Sequence, residues 1–137
     1  ERRSVQVPEL FGIYSYLQVH QMISTVEGTV AHDKTLLNII EATFPMGSMT
    51  GAPKIAAMQH IEQLENFKRG WYSGAVGYIT PDQDFDFNVV IRTVLCDTKS
   101  KTLNYNAGGA ITIDSVAESE WKEVKLKTKA ITSILKP

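Results

Sequence analysis

The sequence predicts an α+β fold, with antiparallel strands in one or two sheets and helices packed outside, on three observations. Strand-like alternation lies on both sides of two helical stretches. Two further strand-like runs, 73–80 and 85–95, flank a Pro81-Asp82-Gln83-Asp84 turn, and the last run, 116–135, has helical periodicity. The 137 residues are 43% hydrophobic, enough for one modest domain with a core, so residues 1–137 are expected to form a single unit.

Ser4 to Val7 reads as a short strand stopped by Pro8. Val19 to Val30 is a longer β-branched run, with Val19, Gln21, Ile23 and Thr25 on one face and His20, Met22, Ser24 and Val26 on the other. His20 reads as an ordinary strand histidine. Asp33 to Thr43 has the spacing of an amphipathic helix, with Asp33 as N-cap and Leu36, Ile39, Ile40 and Thr43 along one stripe. Between this helix and the next stands Phe44-Pro45-Met46-Gly47-Ser48-Met49-Thr50-Gly51-Ala52-Pro53-Lys54, a shaped turn with two glycines and two hydroxyls. Pro53 suits a first helical position, and the helix start would favour an anion. An ordinary well-capped connection reads equally well from composition. No Gly-Lys-Ser/Thr closes the turn, so it is not a phosphate-binding P-loop.

The helix from Pro53 to about Glu65 has an apolar stripe of Ile55, Met58, Ile61 and Leu64, and Arg69-Gly70 supplies a stop. In the strand 85–95, Phe85, Phe87, Val89, Ile91 and Thr93 share a core face. Arg92 lies on the other face, either solvated or held in a pocket. A turn at 97–101 leads to a strand at 102–106, and Ala107-Gly108-Gly109-Ala110-Ile111-Thr112 leads into another, its glycines marking a bulge or a close approach to the backbone. At about 100° per residue, Val124, Ile131 and Leu135 define the buried side of the last helix, flanked by Trp121 and Ile134. Glu120, Glu123 and Lys127 fall within or beside that arc. Inward carboxylates are costly unless paired or bound to a cation. The three residues are either an exposed i,i+4 couple with a neighbour or a divalent-ion site built from hard oxygen ligands.

Net charge is −1 with no basic block, which argues against nucleic acid, and no apolar run is long enough to span a membrane. The single Cys96 excludes an internal disulfide framework, and the chain reads as cytoplasmic. It begins at Glu1 with strand-like alternation starting almost at once, as expected of a piece of a longer protein.

The run PMGSMTGAPK resembles the "PxGTxSGAPK" signature of the chorismate-utilising enzymes, the family of the aminodeoxychorismate, anthranilate, isochorismate and salicylate synthases. Ser48 stands for the frequent Thr and Thr50 for the frequent Ser. Four further motifs follow in family order. "RGxYxGxxG" is similar to Arg69-Gly70-Trp71-Tyr72-Ser73-Gly74-Ala75-Val76-Gly77, "IRT" to Ile91-Arg92-Thr93, and "AGxG" to Ala107-Gly108-Gly109-Ala110. "ExxExxxK" is matched by Glu120, Glu123 and Lys127. The resemblance implies the C-terminal part of the chorismate-binding fold, incomplete as to its active site and inactive by itself.

It further implies Mg2+ held directly by Glu123 and through water by Glu120, with Lys127 beside them as a catalytic charge. A substrate carboxylate would go to Arg92, Tyr72 and the backbone of Gly108 and Gly109, with Ser48 in the signature turn also at the substrate. Gln21 occupies the family's usual His position and can hydrogen-bond a substrate oxygen but not act as an acid. VHQMISTV looks more like the aminodeoxychorismate branch than the anthranilate branch. The implied reaction is amination of chorismate at its 4-position, towards para-aminobenzoate and folate, with ammonia from a glutamine amidotransferase. The alternatives are anthranilate formation with loss of pyruvate, and a non-catalytic folded piece that self-associates through exposed strand edges.

Overall fold

The computed structural model describes residues 1–17 and 19–135, the side chain of residue 130 excepted. The chain is α+β and forms two compact units, Glu1–Ala42 and Thr43–Pro137. Its strands make three separate two-stranded antiparallel sheets.

The first unit is the hairpin of β1 (Gln6–Ser15) and β2 (His20–Glu27), followed by α1 (Leu36–Thr43). Pro8 does not stop the first strand. The register slips between Gln6 and Glu9 and again between Glu9 and Gly12, and these irregularities accommodate the missing N–H of Pro8 within a ten-residue strand. Helix α1 starts two residues later than an Asp33 cap suggests, because Thr35 caps it: Asn38 N–H donates to Thr35 Oγ1 at 3.4 Å, and Thr35 N–H and Oγ1 donate to Asn38 Oδ1 at 3.0 and 3.1 Å. Leu36, Ile39 and Ile40 are its half-buried positions, as the periodicity predicts, whereas Thr43 is exposed.

The second unit begins with the signature turn, which contains a four-residue helix, α2 (Gly47–Thr50), before α3 (Lys54–Leu64). Pro53 is the N-cap of α3, extended at φ −66° and ψ 136°, rather than its first helical residue. The expected apolar stripe of α3 is largely exposed: Ile55 is 75% and Leu64 81% accessible, and only Ile61 is half-buried. The covered side carries Ala56, Ala57, Ile61 and Glu65. Ala57 Cβ lies 3.0 Å from where a Cβ on Gly51 would stand, so small residues set the approach of the turn to α3. The helix ends at Leu64, with Glu65 N–H donating to Ile61 O, well before Arg69-Gly70.

Strands β3 (Ala75–Ile79) and β4 (Phe85–Val89) pair in unbroken register from Ala75↔Val89 to Ile79↔Phe85. A Cβ on Gly77 would collide with the carbonyl oxygen of Asp86 and come within 2.8 Å of Phe87 Cα. Gly77→Ala is therefore expected to destabilise the hairpin by about 2 kcal/mol through overpacking, read as a lower denaturant midpoint; an unchanged midpoint contradicts this packing.

The predicted strand 85–95 is broken. Ile91 N–H donates to Val89 O at 2.9 Å, a γ-turn, and Arg92 adopts a left-handed φ of 49°, so the ladder stops and restarts as β5 (Leu95–Asp97) paired with β6 (Thr102–Asn104). Residues 107–112 form no strand. Helix α4 (Ala117–Leu135) covers Glu120, Val124, Lys127, Thr128 and Ile131. Leu135, placed on the buried side by periodicity, is exposed, as are Trp121 and Ile134. Among the described residues only Val90, at the end of β4, is a buried hydrophobic.

Candidate active site

The break after β4 shapes a cleft within the second unit, about 340 Å³ in volume. Its walls bring together residues far apart in sequence: Ser48 and Met49 from the signature turn, Glu65, Phe67, Arg69 and Tyr72 after α3, Ile91 and Arg92 at the kink, 106–110, and Lys127 and Ile131 of α4. Ser48, Tyr72, Arg92, Gly108, Gly109 and Lys127 thus line one cavity. Gln21 lies in the first unit, exposed on β2 and paired in register with Tyr14, and next to it the ring of His20 is engaged by Ser15 Oγ at 2.9 Å.

The two arginines of the cleft differ in how far their donors are spent. Arg69 binds Glu65 bidentately, Nε to Oε2 at 2.8 Å and Nη2 to Oε1 at 2.5 Å, while Nη1 donates to Met49 O at 2.9 Å and Ser73 Oγ at 3.3 Å. The Arg69 hydrogen bonds hold the Glu65 carboxyl below its ordinary range against the opposing effect of burial, and Glu65 in turn raises Arg69. Arg92 makes no hydrogen bond or ion pair among the described residues. Its left-handed backbone costs on the order of 1 kcal/mol, and it leaves a planar fork of donors free for an acceptor.

The glycine segment is wedged between two walls. A Cβ on Gly108 would stand 2.8 Å from Tyr72 Oη, and one on Gly109 would stand 3.4 Å from Glu120 Oε2 and 4.0 Å from Glu123 Oε1. A close approach of Tyr72, rather than a bulge in a strand, accounts for Gly108, whereas a Cβ on Gly109 would make only ordinary contact. Lys127 Nζ bonds Glu123 Oε1 at 2.6 Å and Gly108 O at 3.1 Å, and Glu120 Oε1 accepts from Ser115 Oγ at 2.7 Å. The i,i+4 couple is present on α4; of the two glutamates expected to face inward, Glu120 is half-buried and Glu123 is exposed.

Two glutamates beside one glycine form a small set, and among the described residues no group of three or more His, Cys, Asp or Glu is placed to hold a metal. Mg2+ keeps several waters and is commonly held by one or two carboxylates together with ligand oxygens, so this donor set fits it. The sequence did not reveal the placing of Glu65 and Arg69. In the sequence Arg69-Gly70 reads only as the stop of the helix that runs from Pro53 to about Glu65.

The Glu65–Arg69 pair has a pH signature. A carboxyl depressed in the folded state stabilises the fold above the ordinary glutamate range, about 4.3, and that contribution is lost as pH falls through the lower folded value. Glu65→Gln is therefore expected to narrow the stability gap to the parent on acidification, measured as denaturant midpoints from pH 7 to pH 3; a gap independent of pH contradicts it.

Unspent donors at Arg92 and Tyr72 in one cleft, with two carboxylates near Gly109, suit a small polar ligand that bears carboxylates. The chain belongs to the chorismate binding enzyme family, whose model matches residues 1–133. It is 44% identical over 135 residues to the probable aminodeoxychorismate synthase, chloroplastic, of Oryza sativa, covering 98% of this chain and 15% of that protein. It is 42% identical over 132 residues to anthranilate synthase component 1 of Saccharolobus solfataricus, covering 96% of this chain and 31% of that protein. The fold is similar to the crystal structure of anthranilate synthase component I from Streptococcus pneumoniae, with a TM-score of 0.77 at 36% identity over 94% of this chain and 29% of that one. The chain thus spans less than a third of these relatives, and no helix among the described residues is long and apolar enough to cross a membrane.

Proposed function

We propose that residues 43–135 form the carboxylate-binding wall of a chorismate site, and that the polypeptide carrying this chain is an aminodeoxychorismate synthase that aminates chorismate at its 4-position. The observation that carries the reading is the cleft that gathers Tyr72, Arg92, Gly108, Gly109 and Lys127 beside Glu120 and Glu123. Chorismate is a dicarboxylate. One carboxylate is taken bidentately by Arg92, with the Tyr72 hydroxyl and the 108–109 backbone N–H groups as further donors. Glu120 and Glu123 hold Mg2+, which when bound supplies Lewis-acid stabilisation of charge on the second carboxylate and at the reacting ring.

Lys127 neutralises Glu123 and, through Gly108 O, ties α4 to the glycine segment. Ammonia comes from a glutamine amidotransferase, and the product leads to para-aminobenzoate and folate. The identity to the rice protein and the Gln at position 21 support this branch. The anthranilate reading is supported by the 42% relative and by the solved neighbour, and it differs in attack at the 2-position with loss of pyruvate.

Chorismate titrated calorimetrically into the polypeptide that carries this chain is expected to bind with an affinity that rises with Mg2+. An isotherm indifferent to Mg2+, or no binding, would overturn the site as drawn.

A further inference from the structure

We propose that Arg69 is a positioning residue, which sets Tyr72 against the glycine segment and holds the signature turn in place without itself touching the ligand. Four donated hydrogen bonds go to three separate segments: Glu65 at the end of α3 and Met49 O in the signature turn, both in the cleft wall, and Ser73 Oγ before β3. A carboxylate ligand would therefore meet a guanidinium already neutralised by Glu65. The same group lies over the Tyr72 ring, 5.8 Å from Cζ to centroid, and Arg69 O accepts from Tyr72 N–H at 3.0 Å. The backbone and ring of the tyrosine are thereby held, and its hydroxyl is directed at Gly108, where a Cβ would stand 2.8 Å from Oη. Arg69 thus sets the tyrosine against the segment whose Gly108 carbonyl accepts from Lys127 Nζ.

A planar fork is needed to serve Glu65, Met49 and the ring together. A lysine ammonium is a compact point charge that can keep the ion pair but not the remaining contacts. Arg69→Lys therefore keeps the charge and the fold while releasing Tyr72.

The test has two readouts, of which only the second rests on the chorismate reading. In the polypeptide labelled with ¹³C on tyrosine rings, the Tyr72 resonance, assigned by its loss in Tyr72→Phe, is expected to shift and broaden in Arg69→Lys without ligand. An unmoved resonance overturns the proposal whatever the substrate. For chorismate turnover, Arg69→Lys is expected to raise KM about tenfold with a smaller change in kcat, but less than about threefold when placed in Tyr72→Phe. Equal effects in both backgrounds overturn the proposal, since a merely structural arginine acts independently of the hydroxyl. A resonance that moves in a protein inert to chorismate supports the positioning role and refutes the proposed function instead.

Discussion

Arg92→Ala is expected to lower kcat/KM for chorismate by about 100- to 10,000-fold, at the level of substrate binding and without loss of the folded state. Two charge-assisted hydrogen bonds are each worth about 1.5–3 kcal/mol, and each 1.36 kcal/mol is a factor of ten. Arg92 is exposed and makes no internal hydrogen bond or ion pair among the described residues, so its removal breaks nothing that holds the second unit together. The substitution also relieves a left-handed conformation only in part, since alanine shares the penalty at φ 49°. Arg92→Gly removes that penalty as well and is expected to be at least as stable as the parent while equally defective. Arg92→Lys retains the charge without the fork and should fall between. Steady-state kinetics beside a denaturant midpoint measure both effects, and full activity in Arg92→Ala would mean that the free fork serves no ligand.

Glu123→Ala is expected to abolish the dependence of the reaction on Mg2+ and to cost on the order of 100-fold or more in rate at saturating metal. In the present geometry Glu123 Oε1 is bonded by Lys127 Nζ at 2.6 Å. Metal at this carboxylate therefore shares or displaces the ammonium, and the alanine variant releases Lys127 to its remaining bond with Gly108 O. Glu120→Gln should weaken the metal response less, because the proposed role of Glu120 is that of a ligand through water and its Oε1 is already engaged by Ser115. Rates followed against Mg2+ concentration decide the matter. A Glu123→Ala protein with the parent's half-saturating Mg2+ would place the ion elsewhere.

The contacts explain which parts of this molecule could be read from its sequence. The β3–β4 hairpin and the terminal helix follow from patterns contained within themselves, a two-residue period closed by turn residues and a 3.6-residue period. The glycines at 108 and 109 signalled either a bulge or a close approach, and the structure shows the close approach, of Tyr72, at Gly108 alone. Three features depended on geometry that a pattern cannot carry. The residues Ile91-Arg92-Thr93 continue the alternation of β4 without a Gly or Pro, so neither the γ-turn nor the left-handed Arg92 that aims the kink at the cleft was visible. Pro8 signalled a strand end because Pro removes a ladder donor, and only the register slip shows where that donor was not needed.

The stripes of α3 and α4 marked Ile55, Leu64 and Ile134 as apolar, but burial also requires a covering surface, and in this structure those side chains stand exposed. The site was legible as residue types in order; the tying of Arg69 to Glu65, Met49 and Tyr72 was not, because it joins the end of one helix to a turn twenty residues earlier.

The most direct measurement is the product formed from chorismate, Mg2+ and ammonium by the polypeptide that carries this chain, resolved by chromatography and mass. Aminodeoxychorismate, without release of pyruvate, is the predicted result. Anthranilate with an equivalent of pyruvate would contradict it and assign the same cleft to attack at the 2-position.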